Sequence, residues 1–294
     1  MQIKKAVISC AGFGTRFLPI SKTIQKEMLP ILTRPIVDYV VEDCIKAGIK
    51  EIIFVINKHN YQVLHFYQEN KRLYKYLKKM NKVNLYDKVA HLHAQANFHF
   101  IKQTEQDLYG TAVPVLLAAD FVKDEDAFLY LGGDDFIYNS DQSSEVAKMI
   151  DLFNQSQAKA LVTCISRDES ELHLYGIAEI EKNGDLMIFK NFIEKPELGQ
   201  APSNLANISK FILTPQIIDI IKKQKVNPKS GELYFTDSII ALSKNNKVIV
   251  HETTGEYLDG GNLLNWLKAN LTIAKENKSL YQELKKFIKK EYFD

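Results

Sequence analysis

Residues 11–30 read AGFGTRFLPISKTIQKEMLP and directly follow a short apolar run. Glycines two residues apart after a strand are typical of a loop whose backbone approaches a phosphate group. A dinucleotide-binding fingerprint would have a third glycine at Phe17, and a P-loop would end in Gly-Lys-Ser or Gly-Lys-Thr. Taken alone, AGFGTR also fits an ordinary tight turn with a surface arginine. The spaced cations Arg16 and Lys26, with almost no acid between them, favour phosphate binding.

The composition excludes several classes of protein. The 294-residue chain is 46% hydrophobic and 25% charged, as in an ordinary globular protein. Its 38 lysines and arginines nearly balance its 36 acids, so a net charge of +2 favours neither nucleic acid nor a membrane as a partner. Three widely separated cysteines favour buried thiols in a reducing compartment. No apolar run approaches the roughly 20 residues of a membrane-spanning helix, and the first is too short for a signal peptide. We therefore expect a cytoplasmic protein.

Strands and helices are predicted to alternate through the first half of the chain. The apolar strands are 5–10, 51–57, 96–103 and 127–135, and the helices are 35–48, 59–79 and 112–122. Continuous β-branched runs fit a sheet that is covered on both faces. The alternation predicts an α/β fold with a doubly wound, Rossmann-like sheet, whose ligands bind at the carboxyl ends of the strands. The opening loop and the sequence GGDD at residues 132–135 both lie at such ends.

The second half of the chain has a different pattern. After a helix at 143–156, strands joined by turns dominate, with Asn183-Gly184 as a hairpin signal. Short helices, one strand and two C-terminal helical stretches follow near 215–223, 236–243, 247–253 and 263–294. We therefore expect a mixed sheet with an antiparallel-rich second half. The predicted units are a domain at 1–262, with halves at about 1–140 and 141–262, and a helical tail at 263–294.

Two glycine-rich turns carry acids where ligands are expected. Asp134 lies in GGDD, and Asp259 lies in EYLDGGN at residues 256–262. Carboxylates at a strand end suit Mg²⁺, which takes oxygen ligands and usually shares them with substrate phosphates. Each acid also fits a solvated turn or a helix N-cap, and a helix that starts near residue 262 is a direct competitor for Asp259. The shared position with the opening loop favours the metal.

A third candidate is IEKPE at residues 193–197, which places Glu194 beside Lys195 before a proline. Consecutive strand residues face opposite ways, so the two side chains are not expected to serve one ligand equally. Neighbouring Glu-Lys pairs are common, and this motif alone is a weak indication of function.

Taken together, these stretches resemble the bacterial UTP–glucose-1-phosphate uridylyltransferases, or UDP-glucose pyrophosphorylases, of the sugar-phosphate nucleotidyltransferase family. Those proteins open with a strand and G-x-G-T-R-x-L-P-x-[ST]-K-x-x-P-K-E-M-L-P, matched here from Gly12 to Pro30. Further matches follow in order along the chain: Gln103, Gly110 and Ala112; Asp134; Tyr175-Gly176; Glu194 to Pro196; Ser203 to Ala206; Gly231 to Asp237; and Asp259 to Asn262. The Ser-Asn-Leu-Ala match favours the uridylyl branch over the thymidylyl one.

The resemblance implies that the first half of the domain binds the nucleotide. Its nucleotide-binding residues would be Ala11, Gly12, Gly14, Thr15, Glu27, Gln103, Gly110 and Asp134. Among them, Gln103 would give hydrogen bonds to the edge of the uracil, and Glu27 would lie near the base and ribose. Mg²⁺ would be held by Asp134 and Asp259.

The same resemblance implies that the second half binds the sugar phosphate. Lys195 would hold the phosphate of glucose 1-phosphate, and Gly176 and Glu194 would contact the glucose hydroxyls. Arg16 and Lys26 would bind the triphosphate and the departing pyrophosphate. Arg16, Lys26 and Lys195 are therefore the predicted catalytic residues.

The implied reaction is attack by glucose 1-phosphate on the α-phosphorus of UTP, which gives UDP-glucose and pyrophosphate. Two alternatives stay open: transfer of a thymidylyl or other nucleotidyl group, and a non-catalytic homologue that binds UDP-glucose as a regulator. A nicotinamide dehydrogenase is disfavoured because Asn57 stands where an acid would bind the ribose. The helical tail is a candidate assembly element, and we expect a homo-oligomer, either a dimer or a tetramer.

Four residues depart from the family pattern. Gln25 stands where proline is usual, Asp107 replaces a commonly basic residue, Thr111 replaces a histidine and Ser209 replaces a glycine. The first change leaves the loop before Lys26 less preset, and the next two bear on selectivity for the base. None of the four removes a charge that the chemistry needs.

Overall fold

The computed structural model describes residues 1–292. The strands are β1 (Lys5–Cys10), β2 (Pro30–Ile31), β3 (Arg34–Pro35), β4 (Glu51–Asn57), β5 (Asn97–Gln103), β6 (Phe128–Gly132), β7 (Asp135–Tyr138), β8 (Ala160–Ser166), β9 (Gly176–Asn183), β10 (Leu186–Glu194), β11 (Leu205–Leu213), β12 (Val248–Glu252) and β13 (Glu256–Asp259). The α-helices are α1 (Ile36–Lys46), α2 (Gln62–Tyr67), α3 (Lys71–Lys79), α4 (Asp87–Ala90), α5 (Val113–Leu117), α6 (Ala119–Val122), α7 (Glu145–Ser156), α8 (Gln216–Lys223), α9 (Phe235–Ser243), α10 (Leu263–Ala274) and α11 (Lys278–Tyr292).

Nine of these strands form one mixed sheet in the order β5-β4-β1-β6-β11-β8-β12-β10-β9. The first four strands run parallel, whereas β11 is antiparallel to both β6 and β8. The chain moves from β1 to β4 on one side and later returns on the other side as β6. The strand order therefore reverses beside β1, where the opening loop begins. The predicted doubly wound, Rossmann-like mixed sheet is confirmed, as is its antiparallel-rich second half.

The sheet is buried on both faces, as the continuous apolar strands predict. In β1, Ala6 and Ile8 join one core cluster and Val7 joins another. The first cluster includes side chains of α1 and α7, and the second includes side chains of α5, α8 and α9. Because helices cover both faces of the sheet, a ligand site is expected at the ends of the strands.

Two predicted helices are each divided in the structure. The helix predicted at 59–79 is α2 and α3, because Asn70 accepts a hydrogen bond from the backbone N–H of Leu73 at 2.9 Å and starts a new helix as its N-cap. The helix predicted at 112–122 is α5 and α6, which meet at Ala118.

The strand predicted at 127–135 ends earlier, at Gly132. Asp135 instead begins β7, which pairs with β13 in a separate two-stranded sheet. In that pair Asp135 lies opposite Asp259. The early end of β6 therefore brings two acid-bearing turns from distant parts of the chain together.

The remaining elements follow the sequence pattern closely. The predicted hairpin joins β9 and β10, but Asn183 is the last residue of β9 and pairs with Leu186, so Gly184 and Asp185 form the turn. Gly184 has the left-handed φ of 60° that favours glycine. The helices α10 and α11 form the predicted C-terminal helical tail, whose last two residues lie outside the described part. Within residues 1–292, no helix has the length and apolarity required to cross a membrane.

Candidate active site

The opening loop places Lys26 beneath its glycines. After β1 the loop makes three short 3-10 turns, the last at Lys26–Met28, and Gly14 starts the first of them with a φ of 62°. A Cβ atom on Gly12 would lie 3.2 Å from Cε of Lys26, closer than most side chains approach. The glycine pair therefore lets the backbone cross directly over the lysine side chain.

Lys26 and Asp134 join the ends of two adjacent strands. The Nζ atom of Lys26 donates a hydrogen bond to Oδ2 of Asp134 at 2.7 Å. Burial alone would lower the pKa of Lys26, but the carboxylates of Asp134 and Glu27 outweigh it and raise that pKa. For Asp134, burial opposes ionisation, and the charge and hydrogen bond of Lys26 hold its pKa below the ordinary value. Both groups are therefore charged at neutral pH.

Glu27 lies under this ion pair and is fully buried. Its Oε1 atom is 3.9 Å from Nζ of Lys26, and neither of its carboxylate oxygens has a hydrogen-bond partner in the described chain. Burial raises the pKa of Glu27 to about 7, although Lys26 opposes the shift. Both carboxylate oxygens are buried, and a direct contact of Glu27 with a nucleotide stays a prediction.

Asp259 reaches the same place from the end of β13. One of its carboxylate oxygens accepts a hydrogen bond from the N–H of Gly261 at 2.6 Å, and the other accepts one from Asn265 at 2.8 Å. The helix cap is a different residue, since Asn262 accepts a hydrogen bond from the N–H of Asn265 at 2.9 Å. Burial raises the pKa of Asp259, with the two donors opposing the shift. The competing explanation of Asp259 as the N-cap is therefore wrong.

A backbone hydrogen bond brings Asp134 close to Asp259, and the side chain of Arg16 reaches the same turn. The N–H of Gly260 donates to the carbonyl oxygen of Asp134 at 2.8 Å. Arg16 is exposed, and its Nη1 atom would lie 3.9 Å from a Cβ atom on Gly261. The structure thus brings together Arg16, Lys26, Asp134 and Asp259.

The two carboxylates fit a hard divalent cation with incomplete protein coordination. Asp134 and Asp259 supply oxygen ligands, the type that Mg²⁺ prefers. Within residues 1–292, no group of three or more His, Cys, Asp or Glu side chains is arranged to hold a metal ion. An ion at this site would therefore need further oxygens from water or from a substrate phosphate.

The predicted base-binding residues lie at the ends of β1 and β5 and in the loop that follows β5. Ala11 is nearly buried at the end of β1. The amide nitrogen of Gln103 donates to the carbonyl oxygen of Leu108 at 3.2 Å, so the side chain is folded against its own loop. Gly110 has a φ of 128°, and any side chain there would collide with the backbone of Leu233. Packing against Leu233 therefore requires a glycine at this position.

Two of the departures from the family pattern have structural partners in this loop. Asp107 accepts hydrogen bonds from the N–H and the hydroxyl of Thr104, at 2.6 and 2.9 Å. The hydroxyl oxygen of Thr111 accepts a hydrogen bond from the N–H of Phe235, at 2.9 Å, at the start of α9. Both residues stabilise the loop itself.

Gln25 has the clearest compensation among the departures. Its buried side chain donates to the carbonyl oxygen of Cys10 at 3.1 Å, and its N–H donates to Oε1 of Gln62 at 2.9 Å. The amide nitrogen of Gln62 donates in turn to the carbonyl oxygen of Thr23 at 2.7 Å. Hydrogen bonds from α2 therefore fix the turn that proline would otherwise preset.

The second half of the chain presents the sugar-phosphate candidates on exposed backbone. Lys195 follows β10 with a φ of 46°, and its N–H donates to the carbonyl oxygen of Tyr175 at 2.9 Å. Because β10 ends at Glu194, the alternation on which we based the expectation for Glu194 and Lys195 does not extend to Lys195. A Cβ atom on Gly176 would lie 2.9 Å from Oε2 of Glu194, so a glycine there leaves room for that carboxylate.

A cavity of about 320 Å³ in the second half of the chain is lined by residues at the end of β8, along β13 and on α10. Asp259 lines one side, and Tyr175, the residue before Gly176, lines another. The guanidinium of Arg167 lies between the rings of Tyr175 and Tyr257, 5.7 Å from each ring centre. Sequence reasoning missed Arg167, because a single arginine after a strand carries no distinctive signal.

Two further residues escaped the sequence patterns although they lie beneath the site. Gln62 supports the opening loop from α2, and the sequence offers no signal for it. Lys210 is a buried lysine inside the apolar strand β11. A lysine within the run ISKFIL is unusual enough to have indicated a buried ion pair.

Comparison with known proteins shows relatives that match nearly the whole chain. A UTP–glucose-1-phosphate uridylyltransferase from Staphylococcus saprophyticus is 36% identical over 290 residues, which cover 98% of each chain. The structure of a UTP-bound UGPase from Acinetobacter baumannii is 30% identical with a TM-score of 0.88, covering 98% of this chain and 99% of that one. A UDP-glucose pyrophosphorylase complexed with UDP-glucose is 28% identical with a TM-score of 0.81, covering 94% of this chain and all of the other.

The sequence profile of the nucleotidyl transferase family matches residues 5–276 of this chain. That range begins at the first residue of β1 and includes every candidate residue of the site described above. The chain belongs to the nucleotidyl transferase family.

Proposed function

We propose that this protein transfers the uridylyl group of UTP to glucose 1-phosphate. The observation that carries the proposal is the meeting of Lys26, Asp134 and Asp259 at the switch point of the sheet. Relatives that match nearly the whole chain are named for this reaction, and structures that resemble it were solved with UTP and with UDP-glucose.

In the proposed reaction, a phosphate oxygen of glucose 1-phosphate attacks the α-phosphorus of UTP. A new P–O bond forms as the bond to the β-phosphate breaks in line with it, and the electron pair leaves with pyrophosphate. The nucleophile is already an anion, because a phosphate monoester has its second pKa at about 6. No side chain has to remove a proton, so the protein contributes positioning and charge neutralisation.

Three cations of the chain are assigned to separate parts of the substrates. Arg16 is exposed at the mouth of the site and would bind the phosphates that depart. Lys26 is held over the end of β1, where the triphosphate would enter. Lys195 lies on the opposite side and would bind the phosphate of the incoming sugar. The two polyanions can then approach without their full mutual repulsion.

Asp134 and Asp259 would hold Mg²⁺. When bound, the ion would neutralise charge on the substrate phosphates. Hydrogen bonds hold both carboxylates in position for the ion. The N–H of Gly260 donates to the carbonyl oxygen of Asp134, and Gly261 and Asn265 donate to the carboxylate of Asp259.

A panel of triphosphates tests the proposal. The purified protein is incubated with glucose 1-phosphate, Mg²⁺ and each of UTP, dTTP, CTP, ATP and GTP, and pyrophosphate is measured. We expect release with UTP and at least roughly a hundredfold less with Asp134→Ala, the scale of losing one electrostatic stabiliser. Fastest release with dTTP would support the thymidylyl alternative. Release at background with every triphosphate would support a non-catalytic binding protein.

Assembly and cellular location stay predictions. The helix α10 exposes a row of leucines that includes Leu263, Leu267 and Leu271. Apolar side chains at this spacing on one helix agree with the proposed role of the tail in a homo-oligomer. Sedimentation of the purified protein would distinguish a monomer, a dimer and a tetramer.

A further inference from the structure

Lys210 is a buried cation that the proposed reaction does not use. It is 4% exposed, and its Nζ atom donates to the carboxylate of Asp135 and, at 3.1 Å, to the carbonyl oxygen of the same residue. The second carboxylate oxygen of Asp135 accepts a hydrogen bond from the hydroxyl of Tyr257 at 3.2 Å. Hydrogen bonds therefore hold Asp135 at its carbonyl oxygen and at both carboxylate oxygens.

Asp135 lies between the two candidate metal ligands. It directly follows Asp134, and it is the pairing partner of Asp259 across β7 and β13. The N–H of Gly260 completes the connection by donating to the carbonyl oxygen of Asp134 at 2.8 Å. Any displacement of Asp135 would therefore change the separation of the two carboxylates.

A strained backbone directs Lys210 towards Asp135. Ser209 has a left-handed φ of 52°, and the pairing of β11 with β8 shifts register between Asn207 and Phe211. Such bulges commonly re-aim a side chain, and a left-handed serine costs roughly 1 kcal/mol. Strain of this kind persists where the surrounding structure imposes it, often at functional sites.

Stability alone does not explain this ion pair. A buried ion pair often gains nothing over a well-packed apolar pair, because removing both charges from water is costly. Here three carboxylates, Asp134, Asp135 and Asp259, lie close together, and like charges repel one another. The charge of Lys210 compensates the middle one, Asp135, which is buried.

We propose that Lys210 is a positioning residue for the divalent-cation site. By holding Asp135 through its main chain and side chain, it fixes the distance between Asp134 and Asp259 so that both can bind one ion. This inference rests on the proposed function, because it assumes that these two carboxylates hold the metal.

Binding of Mn²⁺ alone, followed by water-proton relaxation, tests this role without turnover. The variants are Lys210→Met, Lys210→Arg and the double variant Lys210→Met/Asp135→Asn, which removes both charges. The control is Lys190→Met, a lysine of β10 that pairs with Glu181 on the neighbouring strand. Thermal unfolding reports the stability of each variant.

We expect Lys210→Met to weaken Mn²⁺ binding by at least about tenfold, the usual cost of removing a residue that orients a metal ligand. The double variant should regain stability, because no buried charge is left unpaired, yet keep the weak binding. Lys210→Arg should recover most of the affinity, and Lys190→Met should bind Mn²⁺ as the wild type does.

A folded double variant with wild-type Mn²⁺ affinity would overturn the positioning role, and so would a wild-type protein that binds no Mn²⁺. The proposed reaction fails separately if the wild type binds Mn²⁺ normally but releases no pyrophosphate from UTP and glucose 1-phosphate.

Discussion

The proposed nucleotide side and the proposed sugar side of the site are held in place by different means. On the nucleotide side, Lys26 is bonded to Asp134 at 2.7 Å, and the buried Gln25 beneath it is hydrogen-bonded to β1 and α2. On the proposed sugar side, Glu194 and Lys195 are exposed. Lys195 has a left-handed φ, and its N–H donates a hydrogen bond to the carbonyl oxygen of Tyr175. Folding therefore orders the first side before any ligand arrives.

This difference predicts how substitutions act. An ordered group loses little freedom when it binds, whereas an exposed lysine is ordered by its ligand and contributes mainly its charge. Changes on the nucleotide side should act through geometry and through buried ionisation. Changes on the sugar side should act through charge alone.

The largest effect is expected for Lys195→Ala. Loss of the sugar-phosphate cation should lower kcat/KM for glucose 1-phosphate by roughly 10²–10³-fold, as for one lost electrostatic stabiliser, with little change in UTP binding. Lys195→Gly is the matched control, because glycine adopts the left-handed φ without strain but also lacks the charge. If Lys195→Gly were much more active than Lys195→Ala, the backbone conformation would matter more than the charge.

Glu27→Gln should change the pH dependence of stability. The carboxyl has a pKa of about 7 in the folded protein against an ordinary 4.5, so folding takes up a proton between these values, and wild-type stability falls as pH rises through that window. The neutral glutamine does not titrate. The free energy of unfolding of the variant, relative to wild type, should therefore rise by up to about 3 kcal/mol from pH 4.5 to 7 and level off above.

Urea denaturation at a series of pH values measures this difference for Glu27. The exposed Glu169→Gln is the control, and its stability should stay parallel to that of the wild type. Parallel curves for Glu27→Gln as well would show that Glu27 is ionised in the folded protein throughout the range.

A smaller effect is expected for Gln62→Ala, which removes two hydrogen bonds from the opening loop. Loss of about 1–2 kcal/mol of hydrogen bonding should lower kcat/KM for UTP by about tenfold and leave KM for glucose 1-phosphate nearly unchanged. Gln68→Ala, an exposed glutamine just after the same helix, should behave as wild type. An equal loss for both substrates would contradict the division into two sides.

The smallest effect is expected for Ser209→Gly. Glycine adopts the left-handed φ of 52° freely, so the variant should be more stable by about 1 kcal/mol, which raises Tm by about 2 °C in a protein of this size. Calorimetry checks the shift. A lower Tm would mean that the serine side chain contributes more than its backbone costs.

Much of the fold can be predicted from the sequence, because the patterns that indicate its strands and turns are local and periodic. The strands Lys5–Cys10 and Glu51–Asn57 appear in the sequence as continuous apolar runs, and the pair Asn183-Gly184 is a local signal for the hairpin between β9 and β10. The division of α2 from α3 was missed because a single cap at Asn70 competes with an otherwise continuous helical pattern.

The candidate active site can be predicted only in part from the sequence. Arg16, Lys26, Asp134 and Asp259 were selected because charges beside glycines at strand ends are informative. Gln62 and Lys210 were not, because their roles arise only when distant elements meet. The register shift at Ser209 likewise belongs to the pairing of β11 with β8 and has no counterpart in local sequence.

The position of β11 has a consequence for biosynthesis. Residues 205–213 pair with β6 on one side and β8 on the other, so early parallel strands have an unprotected edge until more than two-thirds of the chain has been made. The turn at Asp259 emerges later still. The nascent chain should therefore stay open to chaperones and proteases through most of translation, and the catalytic centre should form in one late, cooperative step.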